Sequence, residues 1–490
     1  MSPGLILLCI SIYTIILFGI TFITAKNADN KTYFVGNRSS KWYLVAYGMI
    51  GASLSGVTFL SVPGDVSKGA FSYFQMVLGY LLGYFVIALV LLPIYYRLNL
   101  TSIYSYLKGR LGIYSYKTGA FFFLLSRTIG AAFRLFIVIN VLQLFVFDAW
   151  GIPFYITTTI FILLIIAYTF KGGVKTIVWT DTLQTTFMLL SLVLSVILIC
   201  RQLDFGLYDM FNAIKNSPYS KVIVTDWQAK TFFPKHFFGG MFIAIAMTGL
   251  DQEMMQKNIS CKNIGEAKKN VITFSFILIL ANFIFLALGA LLYIYITTKG
   301  LSIPERTTDD LFPTIALQHL GTLSALLFII GLISAAYPSA DGALTALTAS
   351  FCIDFLNFKE EGEKEIRSLS QTTIRKIVHI SFALVLLAVI IIFRIVNNEA
   401  VIRQLFKVAN YTYGPLLGLF FFGILTKRNV KDKYAPIVCL LSPLLCYYID
   451  SNSSNMLGGY LFGNELLIVN GLLTFTGLLL ISKQSIKPLL

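Results

Sequence analysis

Charge is scarce in this sequence. Only 12% of its 490 residues are Asp, Glu, Lys or Arg, while 57% are apolar. Soluble domains are about a quarter charged and about half apolar, so a water-soluble globule is excluded. Histidine is scarcer still: His236, His319 and His379 are the whole supply, far apart in the chain. A histidine-based metal centre or nucleophile pair is therefore poorly supported. The six cysteines (Cys9, Cys200, Cys261, Cys352, Cys439 and Cys446) are scattered and form no CxxC pair. They read as small apolar residues, not as ligands or a disulfide framework. The first apolar run lacks a basic leader and a small-residue cleavage site before Lys26, and so reads as a retained helix and not as a cleaved signal peptide.

What the sequence has in abundance is long apolar runs. A helix needs about 20 apolar residues to cross a bilayer, and roughly thirteen such runs can be counted. They begin near Gly4, Trp42, Phe71, Lys117, Ile152, Ile177, Pro234, Val271, Thr322, Ile374, Val401, Tyr434 and Glu465. The expected fold is an all-α polytopic membrane protein, a single transmembrane domain over 1–490 with the lipid bilayer as its surroundings. The net charge of +15 points to no nucleic acid, because the bases sit in short loops. Loops two apart carry them: Lys26, Lys31, Arg38 and Lys41; Arg97, Lys108, Arg110 and Lys117; Lys171 and Lys175; Lys257, Lys262, Lys268 and Lys269; Lys359, Lys364, Arg367, Arg375 and Lys376; Lys427, Arg428, Lys431 and Lys433. By the positive-inside rule these loops are cytoplasmic, with the N-terminus outside and the C-terminus inside. Segments 202–233 and 297–311 are polar enough to leave the membrane outside, and 357–373, containing KEEGEKEIR, is a charged inner connector.

Several runs hold residues that a plain membrane helix avoids. GASLSGVTFLSVPG, at 51–64, has three glycines, three serines, a threonine and a proline. Gly and Pro are tolerated in a membrane helix where something re-satisfies the backbone, and an unwound turn at mid-depth can offer carbonyls to a cation and hydroxyls to a solute. Ser53, Leu54, Ser55 and Gly56 lie about twelve residues into their run, near mid-depth. A small-residue packing face is the competing reading. SAAYPSADGALTALTAS, at 334–350, places Ser334, Asp341, Thr345 and Thr348 on one helical face. A carboxylate inside a membrane segment is a functional candidate by default; a hydrogen bond to a neighbouring helix is the bland alternative. In VWTDTLQTT, Asp181 and Thr185 share a face near the inner end of a run, where a solvated aspartate is also plausible. In TGLDQEMMQK, Asp251 and Glu253 are expected at a cytoplasmic helix end. Arg127 and Arg134, seven residues apart, share a face, and Arg134 needs an anion: Asp181, Asp341 or a solute carboxylate held bidentately. A structural ion pair is the alternative.

At these residues the chain resembles the sodium:solute symporter family over essentially its full length. The marks, in order, are GASLSGVTFLSVPG, FKGGVKTIVWTDTLQ, GLDQEMMQKNISCK and SAAYPSADGALTALTASFCIDF. The resemblance implies an inverted five-plus-five repeat core of the LeuT-like kind, dividing the chain into a leading helix and loop (1–41), the core (42–425) and two trailing helices (426–490). It implies a main sodium site on the carbonyls of Gly51, Leu54 and Ala335 and the hydroxyl of Ser339; oxygen ligands suit a hard cation. This sequence departs from the pattern at Pro338, which replaces a hydroxyl, although a proline also frees the carbonyl of Ser334. Some members have a second sodium site between the fifth-helix aspartate, here Asp181, and hydroxyls of the eighth core helix, where this chain has Asp341. Two sodium ions, or one sodium and one proton shared by the carboxylates, are both open. Ser53, Ser55, Thr58, Gln75 and Arg134 resemble the positions that hold a carboxylate in sialic-acid members, and SGVT followed by VPGDVSKGAF is similar to the monocarboxylate and iodide branch. Met247 and Thr248 stand where the neutral-sugar branch has aromatics.

The reading that results is a sodium-coupled symporter, not an enzyme. It would import a small organic solute, an organic anion such as a monocarboxylate or sialic acid, across the inner (plasma) membrane by alternating access. A sugar or amino-acid symporter of the same family, a non-transporting solute sensor and a membrane enzyme are the alternatives.

Overall fold

A chain crossing lipid satisfies its own backbone only as helix or closed barrel. Every apolar run named above is helical in the computed structural model, which describes residues 3–24, 33, 36–302, 307–358, 370–396 and 400–484. Lys26, Lys31, Lys359, Lys364, Arg367 and most of the charged connector lie outside the described residues. Among the described residues, eight helices are long and apolar enough to span a membrane, and nine if the bent pair Val401–Thr412 and Gly414–Leu425, kinked by 45°, counts as one. The other runs fail that test because their helices are short or interrupted, and the interruptions are where the fold becomes informative.

The run from Trp42 is two helices, Trp42–Ser53 and Gly56–Gly69. The backbone leaves the helix at Leu54 (φ −84°, ψ 67°) and is extended at Ser55 (φ −70°, ψ 178°). The run from Pro234 breaks in the same way. Phe233–Ala244 widens into a π-type turn over Ile245–Gly249, leaves the helix at Leu250 and restarts as Gln252–Ile259. These are the first helices of the two five-helix halves, so each half opens on a broken element. The runs from Ile152 and Ile177 are two apolar helices, Phe154–Thr169 and Thr176–Gln202, within the continuous helical stretch Phe154–Gln202.

Packing explains which helices can carry polar groups. Gly321–Ser350 lies against Phe154–Gln202, Ile113–Leu142 and both halves of the first broken helix, and every residue from Gly331 to Ser350 is buried. Protein surrounds this helix on all sides, so Ser334, Asp341 and Thr348 each find a protein partner instead of marking one exposed face. Ser334 donates to the Tyr13 hydroxyl at 2.9 Å, Asp341 accepts from Tyr168, and Thr348 lies 3.1 Å from His379. Helix Trp42–Ser53 approaches Phe154–Gln202 closely at Gly51, where a β-carbon would overlap the Thr185 hydroxyl. The Gly51 N–H donates to that hydroxyl at 3.0 Å.

Candidate functional site

The two breaks differ in what their backbone offers. A helix end leaves its last carbonyls without intrahelical donors. At the second break protein groups fill them: Tyr95 donates to the Gly249 carbonyl at 2.8 Å and Tyr104 to the Leu250 carbonyl at 2.9 Å. Asp251 then caps the restarted helix, accepting from the N–H groups of Glu253 (3.0 Å) and Met254 (3.3 Å). The first break lies against the helix that carries Ala335 and Ser339. Pro338 is inside that helix, so the ladder bond to the Ser334 carbonyl is missing. Ser339 is fully buried, and its hydroxyl has no hydrogen-bond partner among the described residues. A buried hydroxyl without a partner is costly, and an oxygen of this kind beside a broken helix suits a sodium ion. Of the donor set named from the sequence, Gly51 and Leu54 lie at the first break and Ala335 and Ser339 lie on the helix packed against it.

Beside the first break lies a small cavity of about 90 Å³, lined by Ser53, Ser55, Thr58, Thr248, Arg127 and Arg134 among others. Arg134 is 8% exposed, and its Nε and Nη1 atoms have no hydrogen-bond partner among the described residues. Neither Asp181 nor Asp341, the protein anions expected for it, pairs with it among the described residues. The structure therefore brings Ser53, Ser55, Thr58 and Arg134 together. Gln75 is not with them. It is fully buried outside the cavity, donating to the carbonyls of Ser72 (3.2 Å) and Thr231 (2.9 Å) and accepting from the Val224 N–H (3.1 Å). Its amide is consumed in fastening the segment between the fifth and sixth core helices to the second, which leaves nothing for a solute.

Below the cavity floor runs a chain of buried charge. Arg127 pairs with Glu253 and lies 3.9 Å from Asp251. Lys257 lies 3.4 Å from Glu253 and 2.7 Å from Asp181. Asp251 accepts from the Tyr413 hydroxyl at 3.0 Å. This corrects two expectations. Asp251 and Glu253 do not sit at a solvated cytoplasmic helix end, and Lys257 is not a loop base: they are 0%, 2% and 2% exposed. Asp181 is fully buried, which removes the solvated alternative there. The physical reason is that Gln252–Ile259 is a polar half-helix enclosed by protein. Its Glu253 and Lys257, one turn apart, satisfy each other and their neighbours. The signal in the sequence was Gly249 followed by a capping aspartate and an i, i+4 Glu–Lys pair inside a run. Asp181 and Asp341 do not share one partner. Asp181 faces Lys257, while Asp341 accepts from Tyr168 (2.9 Å) and from the Gly342 N–H (2.5 Å).

Next to the cavity a wider vestibule of about 750 Å³ is lined by Asp65, Lys68, Lys230, Arg403, Lys407 and Asp450 among others. Tyr73, Ile402 and Phe406 line both spaces and form the neck between them. A polar cavity between broken helices, reached through a neck on one side and sealed by buried ion pairs on the other, is the architecture of an alternating-access carrier. The profile of the sodium:solute symporter family matches residues 33–432, and the chain belongs to that family. It is 25% identical over 466 residues to the sodium/sialic acid symporter of Aliivibrio fischeri, covering 93% of this chain and 89% of that one. It is 27% identical over 432 residues to sodium-coupled monocarboxylate transporter 1 of Xenopus laevis, covering 82% of this chain and 64% of that one. Its fold superposes on a solved sodium-coupled sialic acid symporter, in a substrate-bound outward-open state, with a TM-score of 0.82 at 20% identity, covering 98% and 99% of the two chains. The protein is thus a multi-pass, sodium-coupled transporter with the inverted five-plus-five core.

Proposed function

We propose that this transporter carries a small organic carboxylate inward with sodium, sialic acid or a short monocarboxylate being the solutes to try first. The observation that carries the reading is Arg134: a buried guanidinium with two unpartnered nitrogens, in a cavity that also holds the hydroxyls of Ser53, Ser55 and Thr58. A guanidinium recognises a carboxylate through two parallel bonds, and an unpaired one is costly enough in a buried site to favour an anionic occupant. The vestibule adds to this, since its named bases outnumber its acids and a basic funnel concentrates anions. The names of the two relatives above both describe carboxylate transporters. Sodium is the co-transported ion, held by Gly51, Leu54, Ala335 and Ser339. In this reading the chain lies in the inner (plasma) membrane with its N-terminus outside, the vestibule opens outward, and 1–41, 42–425 and 426–490 are leading, core and trailing parts.

The test is binding of labelled sialic acid, pyruvate, lactate and glucose to the purified protein, with and without sodium. Sodium-dependent binding of a carboxylate, lost in Arg134→Ala and partly kept in Arg134→Lys, supports the reading. Sodium-dependent binding of glucose that is indifferent to Arg134 would replace it with a neutral-solute transporter.

A further inference from the structure

Asp181, which the resemblance places in a second sodium site, already has a cation. The Lys257 ammonium is 2.7 Å from its Oδ2 and 3.4 Å from Glu253 Oε1, and the three side chains are 3%, 0% and 2% exposed for Lys257, Asp181 and Glu253. Gln184, with its amide nitrogen turned toward Asp181, donates to the other carboxylate oxygen at 3.3 Å. The eighth core helix does not supply the missing oxygens. Pro338 has no hydroxyl, and Asp341 is turned to Tyr168 and to the Gly342 N–H. A side chain at 342 is excluded because a β-carbon there would overlap the Glu253 carboxylate. A hard cation needs several oxygens around it. The residues present do not fit a second sodium ion; they fit an ammonium, which brings three donors of its own.

We propose that Lys257 is a built-in second cation and that the protein binds one sodium ion, at the Ser339 site. The inference rests on the transport reading above. A tethered charge supports Asp181 and Glu253 without being released, so it adds nothing to the charge carried across the membrane. Carriage of a monoanion with one sodium ion is then electroneutral, whereas two sodium ions would make it electrogenic.

The experiment is a count of ²²Na⁺ bound at saturation by the purified full-length protein, which needs no knowledge of the solute. One ion is expected for the wild type and one for Lys257→Arg, which keeps a cation in place. Two are expected for Lys257→Met, where Asp181, Glu253 and Asp341 are left to a mobile cation, and one again when Asp181→Asn is added. A wild-type count of two, or a Lys257→Met count that stays at one in folded protein, overturns the role given to Lys257. If Lys257→Met does not fold, the wild-type and Lys257→Arg counts decide. No sodium binding at all would instead overturn the transport reading on which the inference rests.

Discussion

Ser339 and Arg134 each bury polar atoms that find no hydrogen-bond partner among the described residues, as several other side chains do, and these two lie on the elements that border the first break and its cavity. Ser339→Ala should leave folding intact while raising the sodium concentration for half-maximal activity about tenfold, the equivalent of roughly 1.4 kcal/mol; a sodium titration of uptake measures this. Arg134→Ala should cost the carboxylate about 2–5 kcal/mol of binding, visible as a large rise in KM. Gln75 makes the opposite case. Its three bonds all go to backbone groups, so Gln75→Ala should lower the detergent melting temperature and leave solute affinity unchanged. A lost affinity at an unchanged melting temperature would return Gln75 to the cavity. Within the ion-pair chain, Arg127→Ala leaves the buried Asp251 and Glu253 carboxylates with Lys257, 3.4 Å from Glu253, as the remaining nearby cation, and should cost on the order of 3–5 kcal/mol of stability.

At the scale of elements, the two broken helices were not equally legible. The first break could be read from GASLSGVTFLSVPG because glycine, serine and proline weaken a helix for separate physical reasons. The second could not. Hydropathy treats a polar half-helix enclosed by protein and a helix end in water alike, so Asp251, Glu253 and Lys257 looked like cytoplasmic residues until Tyr95, Tyr104, Arg127 and Asp181 were seen around them. Gln75 misled for a related reason: sequence places it on the second core helix but not which way its amide reaches. Tyr95→Phe and Tyr104→Phe should each lower stability by about 1 kcal/mol, the net worth of one hydrogen bond, without changing sodium affinity. Loss of sodium affinity at full stability would move the ion site to the second break.

For the whole molecule, the helical character of each apolar run was open to sequence because lipid enforces it, whereas the count of roughly thirteen spans was not, because several runs are short or broken and only eight or nine of the described helices are long enough to cross. The vestibule, the neck of Tyr73, Ile402 and Phe406, and the buried charge chain depend on contacts between distant helices, and no local pattern encodes them. In the proposed orientation, read from the loop bases, Lys230 lies outside and Lys108 inside. An impermeant thiol reagent should label Lys230→Cys on intact cells, and Lys108→Cys, on the opposite side, only after permeabilisation; both residues are exposed. The reverse pattern would invert the topology.

Sodium-driven carriage of a carboxylate anchored by Arg134 is tested by uptake into proteoliposomes holding the purified protein. Labelled sialic acid and short monocarboxylates would be offered under an inward sodium gradient, an inward proton gradient or neither. The account expects accumulation with sodium alone, abolished by Arg134→Ala and shifted to higher sodium by Ser339→Ala. Accumulation driven by protons and indifferent to sodium would contradict it.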